Sequence, residues 1–365
     1  MKWFLLLFLI SFESKAQLRF EDFAFPEFVT SSRALAMGNA YISKVDDPWA
    51  AFYNPAGLGT VRKPTLHLIN LHIETNNNML DLAFGGNILD NGSEAFNYFS
   101  EDGLRQLLQN NRGNLLHNRL NLFPNFTMRN LTVGYFMAKQ LRAYVPVDPS
   151  FDMELGDRLD HGPIISTNFS LWGGVMKFGL SIAYVQRKEL LKTDVDITQP
   201  LDSQITSASY DKGGATIMTA GTKLTLPIMW LPTFSAVLRN AAAQKFSNAS
   251  GAGAPDDIEQ TVDLGFSLTP QFGRSVRVHL EANVKDVKDK YDVRFERRAM
   301  AGMEIDFSRI FYIRAGYGDG YGSGGIGFRT DSFYYDLTTY ATEATPNNFR
   351  AIEDRRWVLS LSSGF

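Results

Sequence analysis

Cysteine is absent from the 365 residues. Disulfides, thiol nucleophiles and thiolate metal sites are therefore excluded, and folding does not wait on an oxidant. A surplus of one charge is missing too: 36 Lys and Arg face 39 Asp and Glu, a formal balance of −3. No broad basic field invites nucleic acid, so nucleic acid is not among the expected partners. From residue 63 onward no run approaches the roughly 18 apolar residues that a membrane-crossing helix needs. Any contact with a bilayer falls to strands. No internal repeat is present.

Catalytic signatures are equally scarce. Neither a G-x-S-x-G elbow nor a P-loop occurs. The five histidines, His67, His72, His117, His161 and His279, show no H-x-x-x-H or H-E-x-x-H spacing, so no metal site is expected. His67 and His72 are five apart in an extended stretch, which predicts opposite faces. Gly-rich matches to G-x-G-x-x-G at 320–325 and 322–327 precede strand alternation, not a helix, so they do not read as a nucleotide loop. Those glycines suit a hairpin and a lumen lining that lets another segment come close. The protein is expected to be no enzyme, with no catalytic residue and no cofactor.

What is present is 44% hydrophobic and 13% aromatic content with 30 glycines, enough for a large core. Residues 1–16 read as a secretory signal: one early Lys, an apolar run over 3–10, then Ser14-Lys15-Ala16 as a small-x-small cleavage site. Cleavage near Ala16 leaves Gln17 first, so no thiol-linked lipid anchor is expected.

Over 63–365 the dominant period is 2. In 275–285, Val276, Val278, Leu280, Ala282 and Val284 alternate with Arg277, His279, Glu281, Asn283 and Lys285. The split recurs in 175–186, where Met176, Phe178, Leu180, Ile182 and Tyr184 oppose Lys177, Gly179, Ser181 and Ala183. In 299–307 the inner set is Met300, Gly302, Glu304 and Asp306. An all-β transmembrane antiparallel barrel gives this pattern, with one face on lipid and the other on a polar lumen. Counting from the C-terminus yields fourteen candidates: 355–365, 332–342, 322–330, 310–317, 298–307, 275–285, 260–269, 232–239, 214–226, 175–186, 163–171, 131–140, 119–127 and 79–85.

With Phe365 at the periplasmic side, inner connections such as Asp331, Ser308-Arg309, 172–174 and 128–130 are short. Outer ones, 186–213, 141–162, 240–259 and 86–118, are long, and 318–321 is brief. A fifteenth apolar stretch, 65–73, fits either the barrel or its lumen. Within 86–118, Leu104, Leu107 and Leu108 follow a capping Ser100, which predicts a packed loop helix over 100–110. Residues 248–257 have the Gly, Ala, Pro and Asp content of a surface loop.

Lumen-facing polar candidates carry both signs: Lys177, Arg277, Glu281, Lys285, Glu304, Asp306, Arg314 and Asp336. Mixed signs predict pairing among themselves or with an inserted segment rather than a one-sign selectivity ring. Phe311, Tyr317, Phe333 and Tyr335 suit an interfacial girdle. At the C-terminus Trp357, Leu359, Leu361 and Phe365 share a face opposite Ser360, Ser362 and Gly364. That closing strand resembles the signal read by the bacterial barrel-assembly machinery, an expected partner during biogenesis.

Residues 31–59, SSRALAMGNAYISKVDDPWAAFYNPAGLG, have a different texture. Ser31 or Ser32 can cap a short helical turn that Gly38 stops, and Asp47-Pro48 and Asn54-Pro55-Ala56-Gly57 are turn chemistry. The segment suits a compact plug. Its Arg33-Ala34-Leu35-Ala36-Met37-Gly38-Asn39-Ala40-Tyr41 and Asp46-Asp47-Pro48-Trp49-Ala50-Ala51-Phe52-Tyr53-Asn54-Pro55-Ala56-Gly57-Leu58 resemble the N-terminal motifs of FadL-like outer-membrane barrels, the PorV-like branch in particular. A second match lies in AGMEIDFSRIFYIRAGYGDGYGSGGIGF and EDRRWVLSLSSGF, whereas 86–260 carries none.

This resemblance implies a fourteen-strand barrel at 63–365 with a lumenal hatch at 17–62, shaped by Arg33, Gly38, Asp46, Asp47, Asn54, Pro55, Ala56 and Gly57. It implies residence in the bacterial outer membrane among its lipids. Two activities go with it: FadL-like uptake of a hydrophobic small molecule, or a PorV-like adaptor holding an envelope or secreted protein, the latter using outer loops 141–162 and 187–213.

Overall fold

Alternating oily and polar side chains place every second residue of an extended chain on the same side, and a wall of such strands satisfies its backbone only by closing on itself. In the computed structural model the chain does this as a closed antiparallel barrel of fourteen strands. The structure describes residues 22, 29–85, 100–242, 245–248, 251–330, 332–345 and 348–365. The signal segment 1–16 and the Asp331 turn residue lie outside these.

The strands are β1 Thr65–Asn76, β2 Leu115–Leu122 resuming as Asn125–Met128, β3 Leu131–Tyr144, β4 Met153–Leu171 and β5 Met176–Val195. There follow β6 Asp211–Thr225, β7 Thr233–Arg239, β8 Thr261–Leu268 with its continuation Gln271–Phe272, and β9 Val276–Val284. The wall ends with β10 Ala299–Phe307, β11 Phe311–Gly318, β12 Tyr321–Arg329, β13 Phe333–Glu343 and β14 Glu353–Gly364. Each strand pairs with the next, and β1 pairs with β14 to close the ring.

The fourteenth strand is not the one expected at 79–85. Those residues fall in a helix, α3 Asn77–Phe84, whose first turn is capped by the Asn76 side chain accepting from Met79 N–H at 3.1 Å. A short apolar run flanked by Asn fits a helix as well as a strand, and the cap decides it. The stretch 65–73 belongs instead to β1, so the count is even. His67 and His72 were expected on opposite faces, yet both are buried toward the lumen. A register shift between His67 and Ile69 leaves Leu68 and Ile69 both facing out, and this bulge reverses the alternation.

Inner connections are short, at 129–130, 172–175, 226–232, 273–275, 308–310 and 330–332. The outer ones at 77–114, 145–152, 196–210, 240–260, 285–298 and 344–352 are longer, and 319–320 is a two-residue turn. The segment 141–162 is mainly strand, with only 145–152 as a connection, while 187–213 is strand at both ends around the connection 196–210. β3, β4 and β5 run through them in continuous register, with Arg142 opposite Gly156 and Gly156 opposite Leu191. Above the barrel their ends pack with α3 and α4 Glu101–Gln109 into a separate apolar core containing Met79, Leu104, Leu108, Leu116, Leu155 and Val195. Ser100 caps α4 by accepting from Gly103 N–H at 3.1 Å.

The outward face carries Leu264, Phe266, Leu280, Ile313 and Ile326, all exposed as a lipid-facing wall requires. Phe311, Phe333 and Tyr335 are exposed near the inner rim, as are Trp172, Trp230, Phe272 and Phe365. Trp357, Leu361 and Phe365 point outward from β14, with Leu359 half-buried on the same face and Ser360 buried opposite.

Candidate functional site

Residues 29–64 lie within the barrel, and their side chains from Thr30 to Val45 are buried throughout. Two short helices, α1 Ser32–Ala36 and α2 Ala50–Tyr53, and a 3-10 turn Pro55–Thr60 give the segment its shape. Its contact with the wall is backbone against backbone. Gly38, at φ +62, lies beside Gly316 so closely that a Cβ on Gly316 would sit 2.1 Å from the Gly38 nitrogen. A Cβ on Gly179 would fall 2.2 Å from the Ala56 nitrogen, and one on Gly302 2.4 Å from the Met37 carbonyl oxygen. These wall glycines fit the segment because no side chain stands between. Gly325, in the Gly-rich stretch of β12, likewise faces Ala36.

Arg33 is the electrostatic centre. Its Nε and Nη2 donate to the two oxygens of Glu304 at 2.7 Å each, and Nη1 donates to Asp46 at 2.7 Å, Asp47 at 3.1 Å and the Tyr41 hydroxyl at 3.0 Å. Glu304 also accepts from Arg314 Nε at 2.8 Å, and Arg314 Nη1 donates to Asp336 at 2.5 Å. Six of the sequence candidates thus form one network in which every buried charge has an opposite partner, the condition for tolerating it. Burial would raise the Asp46 carboxyl, but Lys44 and Arg33 hold it well below the usual carboxylate range.

Glu281 accepts two successive backbone N–H groups, from Ser43 at 2.7 Å and Lys44 at 2.8 Å. Asn54 accepts from Ala56 N–H at 3.0 Å and donates to the Ile42 carbonyl at 2.8 Å, fixing the Pro55-Ala56 turn. Gly57 abuts the Val45 carbonyl, where a Cβ would come within 2.4 Å. Lys177 donates to the Gly174 carbonyl at the inner rim, and Lys285 lies 5.8 Å from the centre of the Tyr53 ring. Asp306 accepts the Arg309 N–H at 2.6 Å, and Arg277 stands opposite it in register.

A second network went unread in the sequence. Glu74 on β1 accepts from Tyr340 at 2.8 Å, contacts His117 Nε2 at 2.6 Å and His72 Nε2 at 3.2 Å, and lies 3.6 Å from Arg119. Arg142 and Arg356 both bond Asp22 at 2.6 Å. These residues come from β1, β2, β3, β13, β14 and the N-terminal segment. Only the inward parity of each strand could have hinted at them.

Further along β2 and β3 the lumen carries apolar side chains. Phe123, at the Phe123-Pro124 interruption of β2, is fully buried against Trp49 and Phe52, with ring centroids 5.6 and 5.0 Å apart. Phe52 also meets Phe136 at 5.6 Å. Beside Phe52 lies a cavity of about 50 Å³ bounded by Val29, Ile164, Ala183, Ile217 and Ile258 and also by polar groups, Arg239 and Glu259 among them. At the inner end a much larger vestibule of about 950 Å³ opens beneath Arg33, bounded by charged and hydroxyl side chains. Among the described residues no cluster of His, Asp or Glu is arranged to hold a metal.

The ring, its strand number and the inserted N-terminal segment define a fourteen-strand barrel with a filled lumen, and solved structures share its fold. The chain is similar to the P. putida toluene transporter TodX, at 12% identity over 92% of this chain and 96% of that one, with a TM-score of 0.50. It is similar to the Ralstonia pickettii toluene transporter TbuX, at 11% identity over 92% and 97%, with a TM-score of 0.52. The CymD monoaromatic hydrocarbon channel matches at 9% identity over 91% and 96%, with a TM-score of 0.52. At such identities the likeness establishes the fold alone, a closed barrel of the kind these channels have. No family model matches the chain, and no curated protein sequence matches it either.

Proposed function

We propose that this protein is a FadL-like, non-enzymatic channel that admits small hydrophobic compounds through the outer membrane. The supporting observation is the cavity beside Phe52, where Val29, Ile164, Ala183, Ile217 and Ile258 supply an apolar lining although Arg239 and Glu259 also border it. Partitioning from water into such a site is favourable by roughly 25 cal/mol per Å² of apolar surface and needs no chemistry. The cavity is about 50 Å³, smaller than the roughly 150 Å³ void known to take up benzene. A ligand therefore enters only as the hatch around Phe52 yields, and Arg33, Gly38, Asp46, Asp47 and the Asn54-Pro55-Ala56-Gly57 turn set how far it yields.

The polar vestibule beneath Arg33 is a poor exit for an oily solute, which favours departure sideways, near the Phe123-Pro124 interruption of β2. The similar solved structures are described as toluene transporters and a monoaromatic hydrocarbon channel, in keeping with an aromatic ligand class. They do not favour the adaptor reading.

Proteoliposomes loaded with a toluene-quenched fluorophore test this. The wild-type chain should raise toluene entry above empty liposomes. Ile217→Arg, which replaces part of the cavity's apolar lining with a bulky charge, should abolish the gain, and deletion of 54–57 should increase it. Toluene entry identical in all three preparations overturns the reading.

A further inference from the structure

The vestibule at the inner end of the barrel has an unbalanced charge. Its lining holds seven Lys and Arg against four Asp, a surplus of 7 − 4 = 3 positive charges, in a chain whose overall balance is −3. The four carboxylates are already engaged: Asp46 and Asp47 by Arg33, Asp336 by Arg314, and Asp306 by the Arg309 N–H. Four guanidinium groups, those of Arg62, Arg277, Arg309 and Arg329, have no ion-pair partner among the described residues. Arg329 instead lies over the rings of Tyr334 and Tyr312, at 4.3 and 5.7 Å.

The four approach from different places: the link from hatch to β1, then β9, the turn after β10, and the end of β12. Partial burial, with Arg309 and Arg277 nearby, lowers the proton affinity of Arg62, so these cations repel one another. A surface salt-bridge network would have spread its signs. Here like charges converge on one cavity, and its rim carries hydroxyls from Ser308 and Thr330.

We infer that this vestibule is a binding site for a phosphate group, gripped by Arg62, Arg277, Arg309 and Arg329. Planar guanidinium forks match the oxygens of phosphate in paired hydrogen bonds, and several converging on one cavity make an anion site. Two sources offer that chemistry at this height: the headgroup of a phospholipid in the inner leaflet, and free phosphate. The apolar residues Ile310, Phe328 and Phe365 also border the cavity, and all three are exposed. They run from the mouth toward the outer wall, where acyl chains lie. The inference rests on the vestibule alone and is independent of the apolar cavity above it.

The full-length chain in detergent is titrated with inorganic phosphate by calorimetry. In parallel it is mixed with phosphatidylglycerol, or with diacylglycerol that lacks the phosphate, and retained lipid is read by native mass spectrometry. Retention of phosphatidylglycerol but not diacylglycerol supports the inference with lipid as source. Heat from inorganic phosphate without selective retention supports it with free phosphate as source. In either case Arg277→Gln with Arg309→Gln should weaken binding about tenfold or more, the equivalent of ~1.4 kcal/mol. Arg62→Gln with Arg329→Gln is the second pair, and unchanged heat-modifiable migration of the folded barrel in gels shows that either variant is intact. The inference is overturned by neither probe binding, or by binding unaltered in both intact double variants.

Discussion

The two sides of the lumen hold the N-terminal segment by opposite means. Along β10, β11 and β13 the segment is pinned by charge, with Arg33 bridging to Glu304 and Glu304 to Arg314. Toward β2, β3, β4 and β6 it rests on Phe123, Phe136, Ile164 and Ile217 through dispersion and burial. A buried ion pair resists separation steeply because each charge left behind is uncompensated. An apolar contact gives way gradually as area is lost. The charged side is therefore the fixed edge of the segment, and the Phe52 side is the edge that gives way more easily.

Arg33→Ala tests the fixed edge with the largest effect. It removes the guanidinium shared by Glu304, Asp46 and Asp47, leaving Arg314 and Lys44 as their remaining cations, and should destabilise the seated segment by up to about 3 kcal/mol. The expected sign is rapid proteolysis within 29–64 while the barrel itself stays folded. Gly316→Val comes next: its side chain meets the Gly38 backbone, and overpacking of this kind costs about 1–3 kcal/mol. Lower thermal stability, with a smaller loss for Gly324→Val, whose built Cβ meets only the Arg314 carbonyl oxygen at 3.5 Å, would confirm that close approach is the cause.

Asn54→Ala removes the cap of the Pro55 turn and should cost about 1 kcal/mol, seen as a modest fall in the unfolding midpoint. Acid gives the smallest effect. The Asp46 carboxyl is held low in the folded state, so its contribution is fully present above the unfolded value of about 3.9 and is lost as pH falls below it. Partial solvent access keeps that loss below about 1 kcal/mol. Proteolysis of 29–64 that accelerates between pH 7 and 5 rather than below 4 would count against this assignment.

The wall was legible because lipid and lumen impose a strict parity on every strand: the alternation in 275–285 and 299–307 reappears residue by residue in β9 and β10. Legibility failed wherever parity was broken or irrelevant. The bulge after His67 reversed it, the Asn76 cap turned 79–85 into a helix, and continued strand pairing absorbed 141–162 into β3 and β4. Those outer strand ends face an apolar cap instead of lipid, so their polar residues mimic loops. Candidate lumen charges such as Glu304 and Arg314 were visible one at a time. Their grouping around Arg33 depends on a fold-back that no local pattern encodes, and Glu74 drew no notice because its partners come from four separate strands.

Leu66 and Phe365 exchange both backbone bonds, at 2.9 and 3.0 Å, where the first strand meets the last. A ribosome delivers these two residues at opposite ends of synthesis. Until β14 is in place, the edge of β1 that pairs with it has no strand beside it, so closure of the ring waits on that pairing. The cylinder is then sealed in one late act.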